Sequence, residues 1–187
     1  MRKLLQDRLL FKLLEKMDLD LLERAREGRC LICGAAVHRA DYDRQAHKWL
    51  PEWDKRWSLC CCREGCRKRK TPPSVRFLGR RVYPGIVVVL VSAMMHGLSA
   101  ARVERVRQEL GIDVRTLGRW RQWWLEEFVE SPFWKAARGR LMPPVDEGRL
   151  PLSLVDAFGA RHREGLVRLL KFLSPLTTAS CPEVAAM

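Results

Sequence analysis

The chain has 187 residues, 47% of them hydrophobic, which is enough to bury a core and excludes disorder throughout. Against 22 Asp and Glu stand 35 Lys and Arg, a formal charge of +13, and arginine dominates the excess. Its planar fork matches phosphate and guanine edges, so a polyanionic partner is expected, with nucleic acid first among them.

Seven cysteines would suit a secreted disulfide scaffold, yet acids and lysines interrupt the opening MRKLLQDRLLFKLLEKMDLD, where a signal peptide needs an unbroken apolar core. The cysteines are therefore expected to be reduced thiols in a cytoplasmic protein. The most apolar run, Ile86 to Met95, falls well short of the roughly twenty residues that cross a bilayer, so no membrane partner is expected.

In chain order, residues 1–27 contain neither Gly nor Pro, and Leu10, Leu14, Met17 and Leu21 recur at helical spacing. They predict an amphipathic helix that packs on its own domain or pairs with a second copy, and Gly28 ends it. Residues 28–70 hold six of the cysteines, scattered aromatics and little periodicity, so they cannot bury a continuous apolar face unaided.

CLIC supplies Cys30 and Cys33, and CCCREGC supplies Cys60, Cys61, Cys62 and Cys66. Two short cysteine pairs, each turning tightly beside a glycine (Gly34 and Gly65), are the pattern that gives tetrahedral zinc its four soft ligands. Cys30, Cys33, Cys61 and Cys66 are the expected set for one structural Zn2+ per chain. Cys62 or Cys60 could replace Cys61. His38 and His47 lie between the pairs and are read as surface or supporting residues, since four thiolates already complete a shell.

Directly after the second pair, Arg67, Lys68, Arg69, Lys70, Arg76, Arg80 and Arg81 follow one another with no acid among them, a stretch suited to phosphate contacts. Residues 71–83, beginning TPPSVRFLGRR, are expected to form a basic, Pro-rich connector.

Residues 84–130 read as three helices. Pro84 suits a first helical turn, Ile86 to Met95 a buried helix, and Gly97 its stop. Ser99 caps a second helix with Ala100, Val103, Val106 and Leu110 on one face; Gly111 permits a sharp turn, Ile112 plugs it, and Asp113 caps a third helix. On that third helix Leu117, Trp120 and Trp124 share one side, while Arg115, Arg119 and Gln122 project from the other, flanked by Thr116 and Arg121. An apolar back with long donors near the N-terminus is what a helix entering the major groove needs. Of the tryptophans, only Trp123 stands where exposure would need explaining. Pro143 and Pro144 break residues 131–187, in which a helix is expected from about Leu152 to Leu173 before a frayed tail. The fold class expected is mainly α: an N-terminal amphipathic helix, a zinc-ribbon module and a three-helix helix-turn-helix bundle.

The stretch GLSAARVERVRQELGIDVRTLGRWRQWW resembles the helix-turn-helix of bacterial insertion-sequence transposases, through Thr116, Leu117, Arg119 and Trp120. Taken with CLICG, VHRADYD and CCREGCRKRKTPPSVRFLGRRVY, residues 28–128 resemble a family of bacterial proteins associated with mobile elements, in which a zinc ribbon precedes the helix-turn-helix. The resemblance implies zinc on Cys30, Cys33, Cys61 and Cys66 and DNA reading by Arg115, Thr116 and Arg119. It also implies a nucleoid-associated protein, an accessory factor or regulator of a mobile element, with a transposase as a further partner.

A transposase itself would need a ribonuclease-H-like domain bringing three carboxylates to two metal ions, more chain than residues 131–187 supply, and Asp146, Glu147 and Asp156 are too clustered to stand for it. The chain is thus expected to bind double-stranded DNA without catalysis. Two other functions compete. An HNH-like, zinc-supported nuclease would use His47 between the cysteine pairs but lacks a second catalytic polar residue beside it. A zinc-ribbon adaptor would bind protein rather than DNA.

Overall fold

The computed structural model describes residues 2–43, 55–78, 83–96 and 99–177, with side chains at all of these except positions 2, 102, 106, 107 and 177. Helix dominates, and short antiparallel strands are confined to the cysteine-rich region. The chain divides into two compact units: Asp7–Pro84 with Lys171–Met187, the cysteine unit, and Met1–Gln6 with Gly85–Leu170, the helical unit.

One helical turn, α1 (Arg2–Leu5), precedes α2 (Arg8–Glu27). The single helix expected here is interrupted because Asp7 is extended, at φ −82° and ψ 93°, and its carboxylate accepts the Leu10 amide at 3.0 Å, capping α2. The buried face of α2 is Leu10, Phe11, Leu14, Asp18 and Leu22, while Met17 and Leu21 are only half-buried. The stripe is turned from its expected position because an acid, Asp18, occupies a core position.

The strands are β1 (Val37–Arg39), β2 (Tyr42–Asp43), β3 (Lys55–Arg56), β4 (Leu59–Cys61) and β5 (Arg69–Lys70). An antiparallel sheet runs β1-β4-β5, with Val37 opposite Cys61 and Leu59 opposite Lys70; β2 and β3 pair separately. Leu22 of α2 packs with Val37, Trp57, Leu59, Cys30 and Cys61, so the N-terminal helix lies on the ribbon it precedes.

Within the Pro-rich connector the chain is buried from Pro72 to Leu78. Asp18 explains this. Its carboxylate accepts the Ser74 hydroxyl at 2.6 Å, the Val75 amide at 2.7 Å and Arg76 Nε at 2.9 Å. Arg76 also donates to the Lys55 carbonyl at 2.8 Å, and its guanidinium lies 4.8 Å from the centre of the Trp57 ring. Arg39 covers Trp57 as well, at 4.4 Å. A buried charge is tolerated only when paired and hydrogen-bonded, and this one is both.

In the helical unit, α3 (Gly85–Met94) is buried on every side from Gly85 to Ala93, as its unbroken apolar run demands. After α4 (Ala100–Leu110), Gly111 takes φ +61°, Ile112 is fully buried, and the Asp113 side chain accepts the Arg115 amide at 2.8 Å to begin α5 (Val114–Gln122). The face expected to pack α4 is incompletely covered: Ala100 is exposed, Val103 and Leu110 are half-buried, and the side chain at 106 lies outside the described set. α5 continues through a π-helical turn, Trp123–Glu127, into α6 (Phe128–Glu130).

Ser131 then caps α7 (Pro132–Ala137), accepting the Trp134 amide at 3.2 Å, with Pro132 in the first turn. Trp124, Phe128 and Trp134 are fully buried, the ring of Phe128 lying 4.9 and 5.0 Å from the other two. Trp123 is half-buried against Trp124, 4.6 Å between ring centres.

The helix expected from Leu152 to Leu173 is two, α8 (Leu152–Ala157) and α9 (Arg163–Leu173). Between them Gly159 takes φ +60°, and its carbonyl oxygen lies 2.2 Å from where a Cβ on Gly165 would sit. A side chain at Gly165 would collide with that backbone, and glycine is the residue that takes the φ of Gly159 without strain.

Candidate metal centre

The first cysteine pair is shaped by the end of α2. Past Gly28, Arg29 takes a positive φ of 50°; the Cys30 amide donates to the Ala35 carbonyl at 2.9 Å, and the Gly34 amide returns to the Cys30 carbonyl at 2.8 Å. Gly34 itself has φ +67°. The resulting tight turn leaves Leu31 and Ile32 at its exposed tip and brings Cys30 and Cys33 together beneath.

The second pair hangs from β4. The Cys61 amide bonds the Lys68 carbonyl at 2.9 Å, the Cys66 amide the Arg63 carbonyl at 3.2 Å, and Gly65 and Arg67 take φ +83° and +41°. Strand alternation decides between the three consecutive cysteines. Cys61 is fully buried on the core face of β4, whereas Cys60 is half-buried with its thiol against the Arg67 carbonyl, and Cys62 is exposed. Neither Cys60 nor Cys62 joins the cluster.

The ligand atoms of Cys30, Cys33, Cys61 and Cys66 all lie within 4.8 Å of one another. Cys30 Sγ is 3.8 Å from Cys66 Sγ, and Cys33 Sγ is 3.4 Å from Cys61 Sγ, far beyond the ~2.05 Å of a disulfide. Four sulfurs about 2.3 Å from a tetrahedral zinc stand about 3.8 Å apart, close to the spacing of this set. All four expected ligands are brought together, and they could hold a metal ion.

Their electrostatics fit the same use. The Ile32 and Cys33 backbone amides point at Cys30 and lower its thiol to about 6. Burial pushes Cys61 up to about 12. At Cys66 the Lys68 amide pulls the value down, but burial and the neighbouring thiols leave it raised. Four thiolates this close repel one another, and a divalent cation is the group that relieves that repulsion. His38 is exposed on β1 outside the cluster, and His47 lies outside the described residues.

The expected DNA contacts divide. On α5, Arg115, Arg119, Arg121 and Gln122 are exposed, while Leu117 and Trp120 are buried behind them. Thr116 is buried and its hydroxyl accepts Arg119 at 3.0 Å, so it orients that arginine rather than projecting outward. In the cysteine unit Arg67, Lys68 and Arg69 are exposed beside the second pair, and Arg69 also reaches the Ala40 carbonyl at 3.1 Å. Lys70 is largely buried, and Arg76, 4% exposed and bound to Asp18, is a core residue that cannot reach a phosphate. Arg80 and Arg81 lie outside the described residues.

Sequence reasoning missed Asp18, Ser74 and Trp57. One signal was present: Asp18 stands four residues from both Leu14 and Leu22, inside the apolar stripe, where an acid requires a buried partner.

No protein-family model, curated protein or solved structure matches the chain. No described helix is long and apolar enough to cross a membrane.

Proposed function

We propose that the protein binds double-stranded DNA without catalysis, through a zinc ribbon and a helix-turn-helix formed by α4, the Gly111–Asp113 turn and α5. The observation that carries this reading is the two-sided character of α5. Leu117 and Trp120 anchor one side, Arg115, Arg119 and Gln122 stand exposed on the other, Arg121 is exposed at the flank, and Asp113 caps the N-terminal end. A helix so built can enter a groove with its donors forward and its back held.

The exposed Arg67, Lys68 and Arg69 supply a second, sequence-independent set of phosphate contacts, held in shape by Zn2+ on Cys30, Cys33, Cys61 and Cys66. The zinc is structural: four cysteine ligands fill a tetrahedral shell and leave no position for a substrate. The resemblance to transposase helix-turn-helix segments suggests an accessory factor or regulator of a mobile element, acting beside a transposase on the bacterial nucleoid.

Variants separate the two sets of basic residues. Replacing Arg115 and Arg119 with Ala should reduce discrimination between a selected site and random duplex, by about 1–3 kcal/mol for each arginine that reads a base edge. Lys68→Ala with Arg69→Ala should weaken both duplexes alike and make the salt dependence shallower. If the α5 variant binds every duplex as the wild type does, α5 is not a reading helix.

A further inference from the structure

α5 carries a glycine that the fold does not explain. Gly118 lies in the interior of the helix and on its exposed side. Its backbone is helical, so it makes no use of the left-handed conformation that Gly111 takes at φ +61°. Nor is it crowded: a Cβ there would meet no atom outside its own helix within 4 Å, whereas one on Gly165 would strike the Gly159 carbonyl. Glycine inside an exposed helix is the least favourable residue after proline, so within the chain alone it brings only a cost.

The residues around it indicate what the gap admits. Positions three and four apart are neighbours on a helix, so Val114, Arg115 and Gln122 border Gly118. All three are exposed, Val114 at 62%. No acid lies within α5, and Arg119 and Arg121 are exposed on either flank. A cationic rim around a small apolar floor is complementary to the major groove, whose edges are phosphate and whose floor carries base edges and thymine methyls. A helix with its side chains is about 10–12 Å across and the groove about 12 Å wide, so the residues pointing inward decide how deep the helix sits.

We propose that α5 lies in the major groove with Gly118 facing the base pairs, its missing side chain allowing the close approach and Val114 packing against a thymine methyl. This rests on the reading of α5 as the groove-entering helix, and adds to it two residues that make no side-chain hydrogen bond.

The test uses the zinc-loaded full chain and a duplex that it selects from a randomised pool. Gln is a better helix former than Gly, so Gly118→Gln should raise the thermal midpoint by a few degrees. Its preference for the selected duplex over random duplex should nevertheless fall about tenfold or more, a loss that misfolding cannot produce in a more stable protein. Replacing the thymines of the selected duplex singly by deoxyuridine removes only a methyl, and at one position should weaken wild-type binding several-fold. Val114→Ala should lose that sensitivity. Unaltered preference in Gly118→Gln, a midpoint that falls, or no methyl sensitivity that depends on Val114 would each overturn the inference while leaving α5 as a reading helix. A wild-type chain that selects no duplex at all would overturn that reading, and the inference with it.

Discussion

The two units are held together by different physics. In the cysteine unit the core cluster around Leu22, Val37, Trp57 and Leu59 includes two of the four clustered cysteines, and charge is buried beside it in the Asp18–Arg76 pair. In the helical unit the interior is apolar: Trp124, Phe128, Trp134, Leu154, Leu166 and Leu169 are fully buried, and glycine turns close the chain around them. A short cysteine-rich segment depends on a few specific bonds, each expensive to lose, while a helical one spreads its stability over many interchangeable neighbours.

Removing metal should break this contrast open most widely. Structural zinc contributes apparent folding free energy on the order of 10 kcal/mol in small modules, so chelation should abolish amide protection in β1, β4 and β5 while α3 and α8 stay protected. Hydrogen exchange with and without chelator reads this directly. Simultaneous loss of protection in both units would mean that they do not stand on separate foundations.

Next in size is Asp18→Ala, which removes the nearer of two carboxylates beside the buried Arg76, Glu15 standing at 4.0 Å, and takes away the acceptor of the Val75 amide and Ser74 hydroxyl; it should cost about 3–5 kcal/mol in denaturant unfolding of the cysteine unit. Replacing both partners with apolar residues should recover only part of that stability, because the Val75 amide and Ser74 hydroxyl still lose their acceptor, and full recovery would show that those two hydrogen bonds contribute nothing. In the helical unit, Leu154→Ala should cost about 2–5 kcal/mol, with zinc content unchanged. A drop in bound metal in that variant would erase the distinction.

The smallest effect concerns pH. Glu147 accepts Trp134 Nε1 at 2.7 Å and Arg138 at 3.0 Å, and these hydrogen bonds hold its carboxyl below the usual range. With the folded value below the unfolded one, its contribution is present above the ordinary carboxylate range and fades as pH falls through the folded value. Glu147 is partly exposed, so the effect should stay below about 1 kcal/mol, and Glu147→Gln should remove that pH dependence from the thermal midpoint of the helical unit.

What the sequence made legible follows the same contrast. The cysteine spacing led to the four clustered thiols, because ligand spacing is local and chemically constrained. It left Cys60 and Cys62 open, since the choice depends on which face of β4 each residue takes, and that register is set by pairing with Val37 and His38 far back in the chain. The turn at Gly111 to Asp113 and the cap of α5 were likewise readable from neighbouring residues. The burial of residues 72–78 was not: basic and proline-rich by composition, the segment is drawn inward by Asp18, more than fifty residues earlier. The break between α8 and α9 depends on the close approach of Gly165 to Gly159, a packing feature that helical periodicity does not encode.

DNA binding supported by structural zinc is tested most directly by titrating the purified chain with labelled random duplex at about 50 and 200 mM salt, with bound zinc quantified in the same preparation. One zinc per chain, and an affinity that falls on the order of a thousandfold or more as about six phosphate contacts are screened, is the predicted result. Metal-free protein, or binding indifferent to salt, would contradict it.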